Sequence, residues 1–156
     1  GQVSKLNERI VSGEPVCDLL VTSSQLKGTT IEGDLIPSLI DEIPMIAVLA
    51  AFAEGVTKIK DAAELKVKES NRIHTVTENL RRMGANVTPA EDGMVICGSR
   101  SLLHGAEFDS YMDHRIAMAF AVAALALHEP CCMKDAECVN ISYPSFYSDM
   151  EKLFCE

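Results

Sequence analysis

Hydrophobic and polar residues follow two different helical patterns along the chain. Residues 45–53 and 116–127 are apolar on all sides, which predicts two helices that are buried on every side. Residues 69–83 carry apolar side chains at helical spacing on one face and charged side chains on the other. That pattern predicts a helix with one exposed side. A fourth helix is predicted over residues 144–154.

Short β-branched or apolar runs between these helices, bounded by Gly, Asp or Pro, predict strands. The predicted strands cover residues 29–32, 56–60, 86–89, 94–97, 106–109 and 130–134. The triplet Glu-Asp-Gly at residues 91–93 predicts a hairpin turn between two of them. The elements together predict an α/β fold of β-α-β-α-β-β units, in which sheets wrap buried helices.

An internal repeat supports this unit. The run IKDAAEL at residues 59–65 recurs as MKDAECV at residues 133–139. Each copy comes after an apolar helix that an aspartate precedes, and each copy is followed by a second helix. The two copies lie 74 residues apart, and such self-similarity indicates an architecture built from repeated copies of one supersecondary unit.

The repeat divides the chain into three parts. We interpret residues 29–98 as a complete unit and residues 99–156 as a truncated unit that lacks its last two strands. In residues 1–28, the runs at 8–11 and 17–23 resemble the closing strand pair of a preceding unit. We therefore expect a single domain that is a fragment of a larger repeating architecture.

Composition and charge exclude several classes of function. A chain that is 47% hydrophobic and 24% charged is typical of a soluble globular protein. The net charge of −9 argues against a nucleic-acid partner, because binding phosphates requires a basic face. Residues 116–127 are too few to span a bilayer, and the polar residues 1–7 do not form a signal peptide. We expect a cytoplasmic protein that binds neither nucleic acid nor membrane.

Six cysteines are spread along the chain without C-x-x-C spacing. The adjacent Cys131 and Cys132 fall in a predicted strand, so their side chains point to opposite faces. This pattern favours free, mostly buried thiols in a reducing compartment over disulfides. The same spacing argues against zinc, and we expect no bound metal.

Polar clusters mark the starts of the predicted helices. The candidate residues in these clusters are four basic side chains and two carboxylates. The basic residues are Lys68, Arg72, His114 and Arg115, and the carboxylates are Asp41 and Glu69. Helix N-termini carry free N–H groups and a partial positive charge, so they bind anions readily. If equivalent helix starts lie at one end of the domain, the cations form one anion site with the carboxylates beside it as acid or base.

The same residues also have a purely structural interpretation. Asp41 and Asp113 suit helix N-caps, and His114 suits a packed core. Arg72 and Arg115 fit that interpretation less well, because a cation in the first helical turn opposes the dipole and requires an anionic partner. Spacing alone leaves both interpretations open.

Two motifs carry a resemblance to a known family. Residues 65–73, LKVKESNRI, and residues 113–119, DHRIAMA, resemble C-terminal motifs of the 5-enolpyruvylshikimate-3-phosphate synthases. Residues 35–44 and 142–146 match the same family in order and spacing, so the resemblance covers essentially the whole chain. It implies the inside-out α/β barrel of the enolpyruvyl transferases, here incomplete, from an enzyme of the shikimate pathway of aromatic amino-acid biosynthesis.

The resemblance implies a reaction and two catalytic residues. Enzymes of the family join phosphoenolpyruvate to shikimate 3-phosphate and release phosphate. Asp41 falls on the aspartate that contacts the shikimate 4- and 5-hydroxyls and acts as base. Glu69 falls on the carboxylate implicated in proton transfer at the methylene carbon of phosphoenolpyruvate. No metal or organic cofactor is implied.

The resemblance also implies four substrate-binding residues. Arg72 and Arg115 match the arginines that hold the phosphoenolpyruvate carboxylate, and His114 lies beside them. Lys68 matches the lysine near the phosphoshikimate hydroxyl. Arginine suits this role because its planar guanidinium binds a carboxylate through two parallel hydrogen bonds.

Three positions depart from the pattern of some family members. Glu64 and Asn71 stand where others have Asn and Asp, and Ile141 stands where others have a lysine that contacts phosphoenolpyruvate. Residues 23–25, Ser-Ser-Gln, are similar to a phosphate-binding run of the family's other domain. We interpret them as a structural turn.

The resemblance also implies a partner and leaves two alternatives. The family's N-terminal domain holds the shikimate phosphate, and its motifs are not found in this sequence. We therefore expect a fragment that is inactive alone and needs that domain. The alternatives are a UDP-N-acetylglucosamine enolpyruvyl transferase and a non-catalytic domain that keeps the fold.

Overall fold

A long antiparallel hairpin is the first element of the structure, a computed structural model that describes residues 1–153. Its strands are β1 (Gln2–Val11) and β2 (Glu14–Thr22). Ser12 and Gly13 reverse the chain with φ of 52° and 86°, the left-handed conformation that the commonest two-residue hairpin turns require. The predicted strand pair is confirmed, and both strands begin earlier than the apolar runs that predicted them.

A four-stranded sheet and three helices form the first repeat unit. Its elements are β3 (Thr30–Ile31), α1 (Ile36–Leu39), α2 (Ile43–Phe52), β4 (Gly55–Ile59), α3 (Arg72–Arg82), β5 (Asn86–Ala90) and β6 (Gly93–Gly98). Strands β3 and β4 run parallel, whereas β6 is antiparallel to both β4 and β5. The sheet order is therefore β3-β4-β6-β5. The predicted β-α-β-α-β-β order is confirmed.

The second unit repeats the first half of this arrangement. Its elements are β7 (Glu107–Asp109), α4 (His114–Ala126), β8 (Cys132–Lys134) and α5 (Phe146–Lys152). Strands β7 and β8 run parallel, as β3 and β4 do. The helix predicted over residues 144–154 is shorter at its start, and Phe154 lies outside the described residues. The division of the chain at residues 28 and 98 stays a prediction.

The main core lies between the four-stranded sheet and helices α2, α3 and α4. Phe108 of β7 packs on Phe120 of α4, with 5.1 Å between the ring centroids. The buried face predicted for α3 is confirmed, and its apolar residues pack in this core: Ile73, Val76, Leu80 and Met83.

Helix α3 begins at Arg72 and not at residue 69. The side chain of Asn71 accepts a hydrogen bond from the backbone N–H of His74, and this cap fixes the helix start. Lys68 and Glu69 therefore lie in the loop before the helix. They are outside the first turn in which the sequence predicted them.

The prediction that α2 and α4 are buried on every side is wrong. The two helices pack against each other, but Leu49, Val122 and Leu125 are exposed. An open cavity of about 650 Å³ lies along this side. It is lined in part by Ser24 and Gln25, which belong to an irregular connection and not to the predicted turn. Apolar residues all round a helix favour burial, yet they do not specify what covers each face.

The cysteines are less buried than the sequence predicted. None of the five described cysteines forms a disulfide, and only Cys138 is buried. The other four are partly or fully exposed: Cys17, Cys97, Cys131 and Cys132. The clearest cause is at Cys17, which lies in the hairpin whose faces are largely open to solvent. Cys155 lies outside the described residues.

Within residues 1–153, no single helix is long and apolar enough to cross a membrane. The bent pair Gly33–Leu39 and Ile43–Phe52 meets the length and composition criteria only when the two helices are taken together.

Replacing Phe120 by alanine is expected to lower the free energy of unfolding by about 3–5 kcal/mol, because losing a buried aromatic leaves a cavity. The matched control is Leu125→Ala on the same helix, since this side chain is 49% exposed. We expect the control to cost less than about 1 kcal/mol. Denaturant unfolding of both variants measures the difference. Equal losses would contradict the packing described for α4.

Candidate functional site

The starts of α2, α3 and α4 lie together around Asp41. Nη1 of Arg72, the first residue of α3, donates to Oδ1 of Asp41 at 3.0 Å. Nη2 of Arg115, the second residue of α4, lies 3.8 Å from Oδ2 of Asp41. Asp41 is not the N-cap of α2, because Glu42 occupies that place. Its carboxylate therefore pairs with cations instead of capping a helix.

Arg72 is the centre of the cluster and is only 1% exposed. Its Nε and Nη2 atoms donate to Oδ2 and Oδ1 of Asp113 at 2.9 and 3.2 Å. Nη2 also donates to Oε2 of Glu69 at 2.7 Å. With the bond to Asp41, the guanidinium uses four of its five N–H groups on three carboxylates. These are the anionic partners that a cation at a helix start requires.

Asp113 has a role that the sequence did not reveal. As the structural interpretation predicted, it caps α4 by accepting from the backbone N–H of Arg115 at 3.0 Å. It also accepts both bonds from Arg72, and a third side-chain bond from Ser70 Oγ at 2.9 Å. The aspartate in the sequence predicted the cap, whereas only the structure identifies the distant partners.

Two cations besides Arg72, namely Arg115 and Lys68, also lie next to Asp41. Arg115 donates from Nη1 to the backbone carbonyl of Asp41 at 3.1 Å and to Oε1 of Glu42 at 3.0 Å. Nζ of Lys68 lies 3.6 Å from Asp41 and 2.7 Å from Oε1 of Glu64. Glu64, which the sequence marked only as a departure from the family pattern, therefore holds Lys68.

His114 lies next to Arg115 in the chain but outside this bond network. Its side chain is buried, and Nδ1 is the one buried side-chain nitrogen or oxygen without a hydrogen-bond partner among residues 1–153. The structure thus brings five of the six predicted site residues into direct contact. The sixth lies beside them.

The fourth predicted helix start contributes nothing to the cluster. Helix α5 begins at Phe146, and the side chain of Ser145 before it bonds Asp149 within the same segment at 2.6 Å. Ile141, the position at which other family members carry a lysine, is largely exposed.

The charges of the cluster keep its central groups ionised. Partial burial opposes ionisation of Asp41, but the hydrogen bond from Arg72 and the charges of Arg115 and Lys68 lower its pKa. Burial also opposes ionisation of Asp113, yet the hydrogen bonds and the charge of Arg72, with the bond from Ser70, lower its pKa as well. Both carboxylates are therefore negative at neutral pH.

The cluster combines an anion-binding group with proton carriers. One edge of the buried guanidinium faces Asp41 and Glu69, whose side chains are 46% and 51% exposed. Solvent reaches these two carboxylates but not the guanidinium, which is 1% exposed, so a ligand carboxylate reaches Arg72 only by displacing one of them. No three His, Cys, Asp or Glu side chains in the described part of the chain are arranged to hold a metal ion.

Comparison with known proteins gives relatives along nearly the whole chain. The sequence model of the EPSP synthase (3-phosphoshikimate 1-carboxyvinyltransferase) family matches residues 2–150. A 3-phosphoshikimate 1-carboxyvinyltransferase from Thermoanaerobacter sp. (strain X514) is 55% identical over 98% of this chain and 36% of its own length. One from Oceanobacillus iheyensis is 53% identical over 94% of this chain and 34% of its own length.

Solved structures agree with this result. EPSP synthase from Acinetobacter baumannii superposes with a TM-score of 0.90 at 39% identity, covering 96% of this chain and 35% of that one. The enolpyruvyl transferase NikO from Streptomyces tendae, at 20% identity and a TM-score of 0.65, covers 99% of this chain and 33% of its own, and shares the fold. The chain spans about a third of the length of the curated relatives it matches. It belongs to the EPSP synthase family.

Proposed function

We propose that this chain forms one wall of an enolpyruvyl-transfer site that joins phosphoenolpyruvate to shikimate 3-phosphate. The observation that carries the proposal is the buried guanidinium of Arg72, which faces two half-exposed carboxylates beside Arg115. Relatives that are 53–55% identical are named for this reaction, which supports shikimate 3-phosphate over a nucleotide sugar as the acceptor.

The proposed reaction has two steps that conserve atoms and charge. In the first, the shikimate 5-oxygen bonds to C2 of phosphoenolpyruvate while its proton passes to Asp41 and C3 gains a proton from Glu69. In the second, the bond from C2 to the phosphate oxygen breaks, C3 returns a proton to Glu69, and the phosphate leaves as inorganic phosphate with the proton that Asp41 holds. Asp41 is ionised and can accept a proton, but its lowered pKa makes it a weak base as long as Arg72 holds it.

Phosphoenolpyruvate binding requires an exchange of partners on Arg72. The guanidinium has one N–H group left, so a carboxylate bound through two hydrogen bonds displaces Asp41 or Glu69. Asp113 stays bound to the Nε side of the guanidinium. A displaced Asp41 loses the hydrogen bond that lowers its pKa, so substrate binding itself raises the proton affinity of the base.

Cations from the rest of a full-length enzyme would hold the phosphate groups on the other side of the substrates, because this chain is acidic overall, with a net charge of −9. No metal or organic cofactor enters the reaction. The five cysteines within residues 1–153 are all free thiols, which supports a reducing compartment, the cytoplasm.

Arg115→Ala is expected to raise the KM for phosphoenolpyruvate far more than the KM for shikimate 3-phosphate. Losing a charge-assisted pair costs on the order of 1.5–3 kcal/mol. The assay uses a chimera, defined as the Thermoanaerobacter relative with this chain in place of the segment it matches. Arg81→Ala is the control, since Arg81 pairs only with Glu78 and a backbone carbonyl. Equal effects on both substrates would contradict the assignment.

Glu69→Gln in the same chimera is expected to lower kcat by roughly 10²-fold or more with little change in substrate binding, because a positioned proton donor contributes about that much. The control is Glu78→Gln, an exposed carboxylate that pairs with Arg81. Steady-state phosphate release gives kcat, and isothermal titration gives affinity. A near-normal kcat would remove Glu69 from the chemistry.

A further inference from the structure

We propose that Asp113 is a positioning residue that fixes the guanidinium of Arg72 relative to Arg115, so that both arginines face one substrate carboxylate. This inference rests on the proposed function for its substrate, but the anchoring itself rests on geometry. Asp113 would act through Arg72 and Arg115 without touching the substrate.

The carboxylate of Asp113 joins two helix starts and a loop. Oδ2 accepts from Arg72 Nε and from Ser70 Oγ, both at 2.9 Å. Oδ1 accepts from Arg72 Nη2 at 3.2 Å and from the backbone N–H of Arg115 at 3.0 Å. A single side chain thus sets the distance between the first residue of α3 and the second residue of α4.

Burial distinguishes this partner of Arg72 from the other two. Asp113 is 0% exposed, whereas Asp41 and Glu69 are about half exposed. An incoming carboxylate can replace Asp41 or Glu69, because solvent reaches both of these partners. It cannot reach the Nε edge that Asp113 occupies. Asp113 therefore holds the guanidinium in one orientation while its other edge changes partners.

Capping α4 does not by itself require this charge. Asn or Ser at the N-cap would satisfy the same N–H group, and burying a carboxylate is costly without a cation beside it. Among residues 1–153, Arg72 is the one cation that bonds the side chain of Asp113 and so matches its charge. The need to orient Arg72 accounts for an aspartate at this position better than helix capping does.

The segment that leads to Asp113 is held in an unusual conformation. Tyr111 and Met112 have φ of 52° and 59°, which is uncommon for residues with a side chain. Ser110 holds the segment, since its hydroxyl donates to the carbonyl of Asp135 and accepts from the N–H of Met112. Such strain is found where the surrounding structure must place a residue accurately.

The first test measures the anchor without any enzymatic activity. In the 156-residue chain, ¹⁵N NMR is expected to show a slowly exchanging Nε–H signal of Arg72, assigned by its absence in Arg72→Lys. Asp113→Asn keeps the helix cap but removes the charge, and we expect this signal to lose its protection. Asp41→Asn is the matched control, because Asp41 bonds Nη1 and not Nε. An unchanged signal in Asp113→Asn would overturn the proposal.

The second test measures how loss of the anchor changes the KM values of the two substrates in the chimera. Asp113→Asn is expected to raise the KM for phosphoenolpyruvate by roughly tenfold or more, since misplacing a binding group by about 1 Å is that costly. The KM for shikimate 3-phosphate should stay unchanged, and Asp149→Asn should change neither. A lost NMR signal with equal changes in both KM values would overturn the positioning role. An inactive wild-type chimera would overturn the proposed function, and the NMR result would still decide whether Asp113 anchors Arg72.

Discussion

The buried ion pair of Arg72 and Asp113 is the constraint on which the rest of the site depends. A guanidinium that is 1% exposed and a carboxylate that is 0% exposed each lose their hydration on folding, so each requires the other. Because the two residues open different helices in different repeat units, their pairing fixes α3 against α4. Asp41 and Arg115 then meet beside the same guanidinium, and three helix starts form one cluster.

The cluster is rich in acid for a site that would bind anions. Five carboxylates surround three cations, namely Asp41, Glu42, Glu64, Glu69 and Asp113 around Lys68, Arg72 and Arg115. An anionic substrate must therefore replace carboxylates that already occupy the cations. Under the proposed function, this competition would lower the affinity of the chain alone for its substrates, and substrate binding would release a carboxylate that accepts a proton.

Local sequence signals predicted most of the fold. The repeat of residues 59–65 at 133–139 and the short apolar runs gave the order of strands and helices, since these features depend on neighbouring residues. The start of α3 was misplaced because the charged run at residues 68–72 suits a first turn, whereas the cap at Asn71 excludes Lys68 and Glu69. The sequence did not predict the exposed faces of α2 and α4, because the apolar pattern of a helix does not determine which element packs on each of its faces. For the site, spacing selected six residues, and the structure brings five of them into contact. Spacing could not reveal the second role of Asp113, because a partner 41 positions away leaves no local pattern.

The most direct test of the central claim, that this chain is one wall of a two-walled site, is phosphate release from phosphoenolpyruvate and shikimate 3-phosphate. The assay compares the purified chain, the complementary two-thirds of the Thermoanaerobacter relative, and a mixture of the two. We expect release that depends on both substrates only in the mixture, because a single wall leaves the substrates in water, where each electrostatic contact is weak. Turnover by the chain alone, or none in the mixture, would contradict the account.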